Sequence, residues 1–150
     1  MRTPRTTVAL TVGALAFGVL AGCSGPTPDV GDLRASIDSA VDGARAAADE
    51  ARAAVDGAAT WLDDVAPGAR STVEDAVRSS SEALDQATRA LDESVPADAE
   101  AARTQAEQAL ADARARLDEA AGSVDGAAAS GLEDLARAVD DLAARLREAG

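Results

Sequence analysis

The chain has 150 residues, enough for one domain, and its 14 basic and 27 acidic residues give it a formal net charge of −13. It has no His and a single Cys, which excludes an intramolecular disulfide and removes most zinc sites and nucleophile–base pairs. The negative charge argues against a nucleic-acid partner, because phosphate binding needs a clustered positive surface.

Residues 1–22 have the layout of a secretory signal peptide. Arg2 and Arg5 precede a mostly apolar run from Val8 to Leu20, and small residues follow. Two other interpretations use the same residues. One is a transmembrane helix with an incidental Cys, although the apolar stretch 6–22 has 17 residues against the roughly 20 that cross a bilayer. The other is an ordinary cleaved signal that releases a soluble protein.

The apolar run ends in Leu20-Ala21-Gly22-Cys23, and these four residues resemble the lipobox of bacterial lipoproteins. In that family the Cys is lipidated and the signal is cut immediately before it. The resemblance implies a lipid on Cys23 and a location on the extracytoplasmic face of a bacterial membrane, with the lipid as the membrane contact. Because two or more acyl chains give stable anchoring, the mature chain would be held firmly. Residues 23–31 would then be the lipidated Cys and a flexible tether.

Residues 32–150 are predicted to form an alanine-rich helical region. After the predicted cleavage site, Leu, Ile and Val total 20 of 128 residues, which is typical of disorder, but the best helix former, Ala, occupies 36 positions. The periodicity favours helix, because apolar residues alternate spacings of four and three along a seam. That seam comprises Ile37, Val41, Ala44, Ala48, Ala51, Val55, Ala58, Leu62 and Val65.

Breaks near residues 67–68, at 96 and across 122–131 divide this region. Ser71 with Glu74, and Ser130 with Glu133, predict capping-box starts for the second and the last helix. Acidic residues four positions before an Arg predict ion pairs along the helices. The predicted pairs are Glu74–Arg78, Asp85–Arg89, Asp112–Arg116, Glu133–Arg137 and Asp141–Arg145. The later seams comprise Val73, Val77, Leu84, Leu91 and Val95, then Ala106, Leu110, Ala113, Leu117 and Val124, then Leu132, Leu135, Val139, Leu142 and Leu146.

The predicted fold class is all-α, following an N-terminal signal helix. The amphipathic helices are expected either to be extended and coiled-coil-like or to fold back into an antiparallel three-to-four-helix bundle. A first helix that continued from about residue 28 to 66 would be roughly 58 Å long, which favours an extended object. Folding back at Pro67, Pro96 and Gly122 would instead give a four-helix bundle.

Trp61 is the single aromatic residue after the predicted cleavage site. It lies beside Leu62 at the edge of the first seam, where it would fill the core near a helix end. The alternative is that it anchors a partner or lies at the membrane interface, since Trp is favoured at both.

No residue pattern predicts catalysis. Neighbouring acids on a helix surface diverge rather than converge in a cleft, and Ser79-Ser80-Ser81 has no His or Lys to activate it. No stretch has the ligand order of a calcium loop. We therefore predict that the protein is not an enzyme, has no cofactor or metal site, and binds no small-molecule substrate.

The lipobox together with Ala-rich heptads resembles the murein lipoprotein, a helical lipoprotein that attaches to peptidoglycan through a C-terminal Lys. This chain contains no Lys, so the resemblance covers architecture alone. The leading hypothesis is a lipid-anchored helical spacer or interaction module that associates with itself or with a cell-envelope protein. The alternative is a membrane-surface or stress-protective protein, since the helices also resemble those of apolipoproteins and late-embryogenesis-abundant proteins. A catalytic or solute-binding lipoprotein is the third and weakest hypothesis.

Overall fold

A computed structural model describes residues 30–149 of the chain. Between these residues there are four helices and no strand. The helices are α1 (Val30–Leu62), α2 (Pro67–Asp92), α3 (Pro96–Ala121) and α4 (Ala127–Glu148). The all-α prediction is confirmed, while the predicted signal helix lies outside the described residues.

The four helices form an antiparallel bundle. Helix α2 packs against α1 and α3, and α4 packs against α3 and α1, which closes the ring. Ion pairs show the antiparallel direction, because Arg45 of α1 pairs with Asp92 at the end of α2, whereas Arg52, later in α1, pairs with the earlier Asp85. Loops of three to five residues between the helices suit antiparallel neighbours. The chain therefore has the folded-back architecture rather than the extended one.

The core follows the predicted seams of α3 and α4, whereas in α2 only Val73 and Leu84 of the predicted seam are buried. In α3 and α4 the predicted seam residues that lie within the helices are all buried. In α2 the core is instead made mostly of small residues, which allow neighbouring helices to approach closely. Among them is Ser80, which is fully buried and whose hydroxyl donates a 2.9 Å hydrogen bond to the carbonyl oxygen of Ala76. The buried residues of α2 are Val73, Ala76, Ser80, Ala83, Leu84, Ala87 and Ala90.

Both predicted capping-box starts are wrong. Helix α2 begins four residues before Ser71, at Pro67, because the fixed φ of proline suits the first helical position and its missing N–H is not needed there. Helix α4 begins at Ala127, after Gly126, whose φ of 66° is in a region that side-chain-bearing residues rarely adopt. Ser71 and Ser130 therefore lie inside helices.

The predicted ion pairs within helices are formed only in part. Asp141 and Arg145 pair, with 3.7 Å between the carboxylate oxygen Oδ2 and Nε. Arg78 and Arg137 pair instead with acids three positions earlier. Asp85 pairs with Arg52 of the neighbouring helix, because antiparallel packing brings that guanidinium within 2.7 Å of its Oδ1. The spacing of charges in the sequence predicts ion pairs within one helix. It does not predict ion pairs between neighbouring helices.

Candidate functional site

The two ends of the bundle differ in what they expose. We call proximal the end that contains the start of α1, the loop 93–95 and the end of α4. The distal end contains the loops 63–66 and 122–126. Arg45 contacts Asp92 beside the loop 93–95, so that loop lies next to the first buried turn of α1 rather than next to its first residues. The chain enters the bundle at the proximal end, where α1 begins at Val30.

Helix α1 extends beyond its neighbours at the proximal end. It has 33 residues, seven more than α2 and eleven more than α4. Residues 31–39 are all exposed, and the first buried residue of α1 is Ala44. We call residues 31–39 the overhang. At 1.5 Å per residue it is about 14 Å long.

Apolar side chains in the overhang have little or no cover from the bundle. Leu33 and Ile37 are 58% and 50% exposed, and their spacing of four residues places them on one helix face. Val95, in the loop at the same end, is 49% exposed. Among the residues whose side chains the structure describes, these three are the large hydrophobic ones that remain exposed. The predicted first seam thus begins in solvent at Ile37, and the second ends in solvent at Val95.

Trp61 is partly buried near the end of α1, where it packs against the core. Its indole lies over Gly131 of α4, so closely that a Cβ at residue 131 would be 2.5 Å from Nε1. Glycine at this position therefore creates the space that the ring occupies. Trp61 lies about 46 Å along α1 from Val30, at the distal end of the bundle. Its role as an anchor for a partner stays a prediction.

Arg114 links α3 to α4 near the middle of the bundle. Its Nε donates to both carboxylate oxygens of Asp118, each at 3.1 Å, and its Nη1 donates to the Ala136 carbonyl at 3.2 Å and to Asp140. The hydrogen bond to Asp118 and the nearby charge of Asp140 raise the pKa of Arg114 above its ordinary value, although partial burial opposes them. The guanidinium stays charged and joins two helices.

The grooves between helices are lined mainly by charged and small side chains. A groove with a volume of about 490 Å³ lies between α2 and α3 and is lined by Glu82, Asp85, Gln86, Arg89, Glu93, Ala102 and Gln105. Within residues 30–149 there is no group of three or more His, Cys, Asp or Glu side chains that could hold a metal ion. The predictions of no catalytic activity and no cofactor stay predictions.

The lipobox residues Leu20, Ala21, Gly22 and Cys23 lie outside the described residues, so lipidation also stays a prediction. In the part of the chain that is described, no helix has the length and apolar character that crossing a membrane requires.

Comparisons with known proteins give no assignment: no protein-family model, curated protein or solved structure matches the chain. The sequence does not identify the overhang or the contact of Trp61 with Gly131. The length of the first segment indicates the overhang, because the stretch before the break at residues 67–68 is longer than the stretches between the later breaks. The Trp61–Gly131 contact has no signal in the sequence, since it depends on the register between α1 and α4.

Proposed function

We propose that the chain is a lipid-anchored helical bundle that acts as a spacer or protein-interaction module on the extracytoplasmic face of a bacterial membrane. The observation that carries this proposal is the sequence Leu20-Ala21-Gly22-Cys23, which places the only Cys of the chain where lipobox chemistry needs it. The bundle adds support. Its first helix begins at Val30, seven positions after Cys23, so a short tether separates the anchor from a folded unit.

The packing of the bundle favours this role over a stress-protective protein whose helices form only on lipid. The apolar seams of α3 and α4 and the middle of α1 are buried against one another within one chain. Helices that form only on lipid need an apolar face that is free to contact lipid. Apart from the proximal end, the described bundle leaves no large apolar side chain exposed for that purpose.

Lipidation is tested by expressing the full chain in bacteria supplied with an alkyne analogue of palmitate. We expect the label on the wild-type chain and in the membrane fraction, and we expect both to be lost in Cys23→Ala. Membrane retention without label would indicate a transmembrane helix. Secretion into the medium without label would indicate an ordinary cleaved signal. Either result would overturn the proposal.

The state of the mature chain is tested by sedimentation equilibrium with circular dichroism on residues 24–150, which lack the lipid. Because most of the apolar seam residues are covered within one chain, we expect a helical monomer, which fits a spacer or a module that presents its surface to a partner. A helical oligomer would indicate self-association. A disordered monomer that gains helix on addition of vesicles would favour the lipid-dependent alternative.

A further inference from the structure

The exposed bulky hydrophobic side chains of the described bundle are not spread over its surface. Leu33, Ile37 and Val95 all lie at the proximal end. At the distal end the loops expose acidic and small residues, among them Asp63, Asp64 and Asp125, while Val65 is buried and Val124 is partly buried. Of the two ends, the proximal one therefore presents large apolar side chains to its surroundings and the distal one presents none among the described residues.

The apolar end is also the end nearest to the predicted anchor. Val30 follows Cys23 by seven positions, and a fully extended chain of that length spans at most about 25 Å. The distal end lies about 46 Å further along α1. A lipid on Cys23 would therefore hold the proximal end, rather than the distal end, next to the bilayer surface.

We propose that Leu33 and Ile37 of the overhang contact the lipid bilayer beside the anchor and so fix the orientation of the bundle on the membrane. This inference rests on the proposed lipidation of Cys23. The overhang then adds a second membrane contact, because the apolar face of its helix inserts into the bilayer. With the tether alone, the bundle would be free to rotate. The partner is a lipid surface rather than a protein.

The size of the surface favours lipid over a second copy of the chain. A stable interface between two proteins buries about 800 Å² on each partner, and three partly exposed side chains offer far less than that. Contact with the bilayer needs no such area, because the anchor already supplies a high effective concentration of lipid at the proximal end.

The charges of the overhang indicate which lipid surface it suits. Asp32 and Asp38 flank the apolar pair, and Arg34 is the one basic residue between them. Anionic lipids attract basic segments and repel acidic ones. We therefore expect the contact to form on zwitterionic phosphatidylcholine and to weaken as the fraction of phosphatidylglycerol rises.

The experiment uses the lipidated protein, purified from membranes and reconstituted into phosphatidylcholine vesicles. With the sulfur of Cys23 alkylated by lipid, a newly introduced Cys is the only free thiol and takes a bimane label. Ser36→Cys places the label in the overhang without changing Leu33 or Ile37. Ser71→Cys is the matched control, because Ser71 is also exposed but lies near the distal end, in α2.

Quenching by phosphatidylcholine that carries a nitroxide on its acyl chain reports contact with the bilayer. We expect severalfold stronger quenching at Ser36→Cys than at Ser71→Cys. Adding Leu33→Ser and Ile37→Ser to the Ser36→Cys protein is expected to reduce quenching to the level of the distal label. Circular dichroism checks that the bundle still folds, which we expect because both side chains are exposed. Equal quenching at the two labels, or no effect of the double substitution, would overturn the inference.

Flotation of the vesicles and the mass of the N-terminal peptide separate this inference from the proposed function. A lipidated protein that floats with the vesicles but shows equal, weak quenching at both labels overturns the bilayer contact and leaves the anchor intact. A protein without lipid on Cys23 that does not float overturns both. Self-quenching of the Ser36→Cys label that disappears on dilution with unlabelled protein, without quenching by lipid, would identify a second copy as the occupant and overturn the lipid contact.

Discussion

Helices α1 and α4 pack side by side, and both repeat apolar residues at alternating spacings of four and three. In α4 every residue of the predicted seam is buried, from Leu132 to Leu146. In α1 the seam starts with Ile37, which is 50% exposed, and Val41 and Val55 are only partly buried. The same pattern therefore gives a covered face in one helix and a partly uncovered face in the other.

At Ile37 the difference follows from helix length. Helix α4 has 22 residues and lies beside longer helices, whereas the 33 residues of α1 exceed every neighbour. A repeat of apolar residues specifies which face of a helix is apolar. Whether that face is covered depends on how far the adjacent helices extend. The comparison predicts that the overhang opens locally and contributes little to the stability of the bundle, whereas α4 contributes to its core.

Hydrogen exchange on residues 24–150 should show the largest contrast between the two helices. Amides in residues 35–39 need only local fraying to exchange, whereas the amide of Val139, in the α4 seam, needs the whole bundle to open. For a stability of about 5 kcal/mol or more, protection should differ by roughly a thousandfold or more. Similar protection in both segments, measured by mass spectrometry of the peptides, would mean that something covers the overhang.

Matched Leu→Ala substitutions should separate the two faces energetically. Leu142 is fully buried, so Leu142→Ala is expected to lower the free energy of unfolding by about 2–5 kcal/mol. Leu33 is 58% exposed in the overhang, so Leu33→Ala should change the free energy of unfolding by less than about 0.5 kcal/mol. Urea denaturation followed by circular dichroism measures both. Equal losses in the two variants would contradict the assignment of the overhang as uncovered.

Glycine substitutions test the register that joins the two helices. Gly131→Ala places a Cβ 2.5 Å from Trp61 Nε1, so the indole must move. We expect the free energy of unfolding to fall by about 1–3 kcal/mol. Gly57→Ala meets no atom within 4 Å inside α1, and replacing a helical glycine by alanine should stabilise by about 1 kcal/mol.

Fluorescence supplies the second readout for this pair, because Trp61 is the only tryptophan. Its emission should shift to longer wavelength in Gly131→Ala as the ring becomes more exposed to water, and it should not shift in Gly57→Ala. Unchanged emission in both variants would mean that the indole does not lie on Gly131.

The helical class and the buried seams of α3 and α4 could be predicted from the sequence because both depend on local spacing. The same spacing places Ile37 and Val95 on seams, but their exposure depends on where the neighbouring helices stop. The spacing does not predict the start of α2, because a proline is compatible both with the end of one helix and with the first position of the next. Other features depend on contacts between helices, which the sequence of one segment does not determine. These features are the burial of Ser80, the Arg52–Asp85 ion pair and the packing of Trp61 on Gly131.

The ion pairs that join α1 to α2 should have the smallest effect. Arg52 and Asp85 approach to 2.7 Å, but their side chains are 45% and 52% exposed, so water and salt screen the pair. We expect Arg52→Gln to cost less than about 1 kcal/mol in low salt and nearly nothing in about 1 M salt, where the Debye length is only about 3 Å. Arg34→Gln in the overhang is the matched control and should have no measurable effect. A double-mutant cycle with Asp85→Asn isolates the pair, and a coupling that persists in high salt would mean that the α1–α2 contact is drier than its exposure indicates.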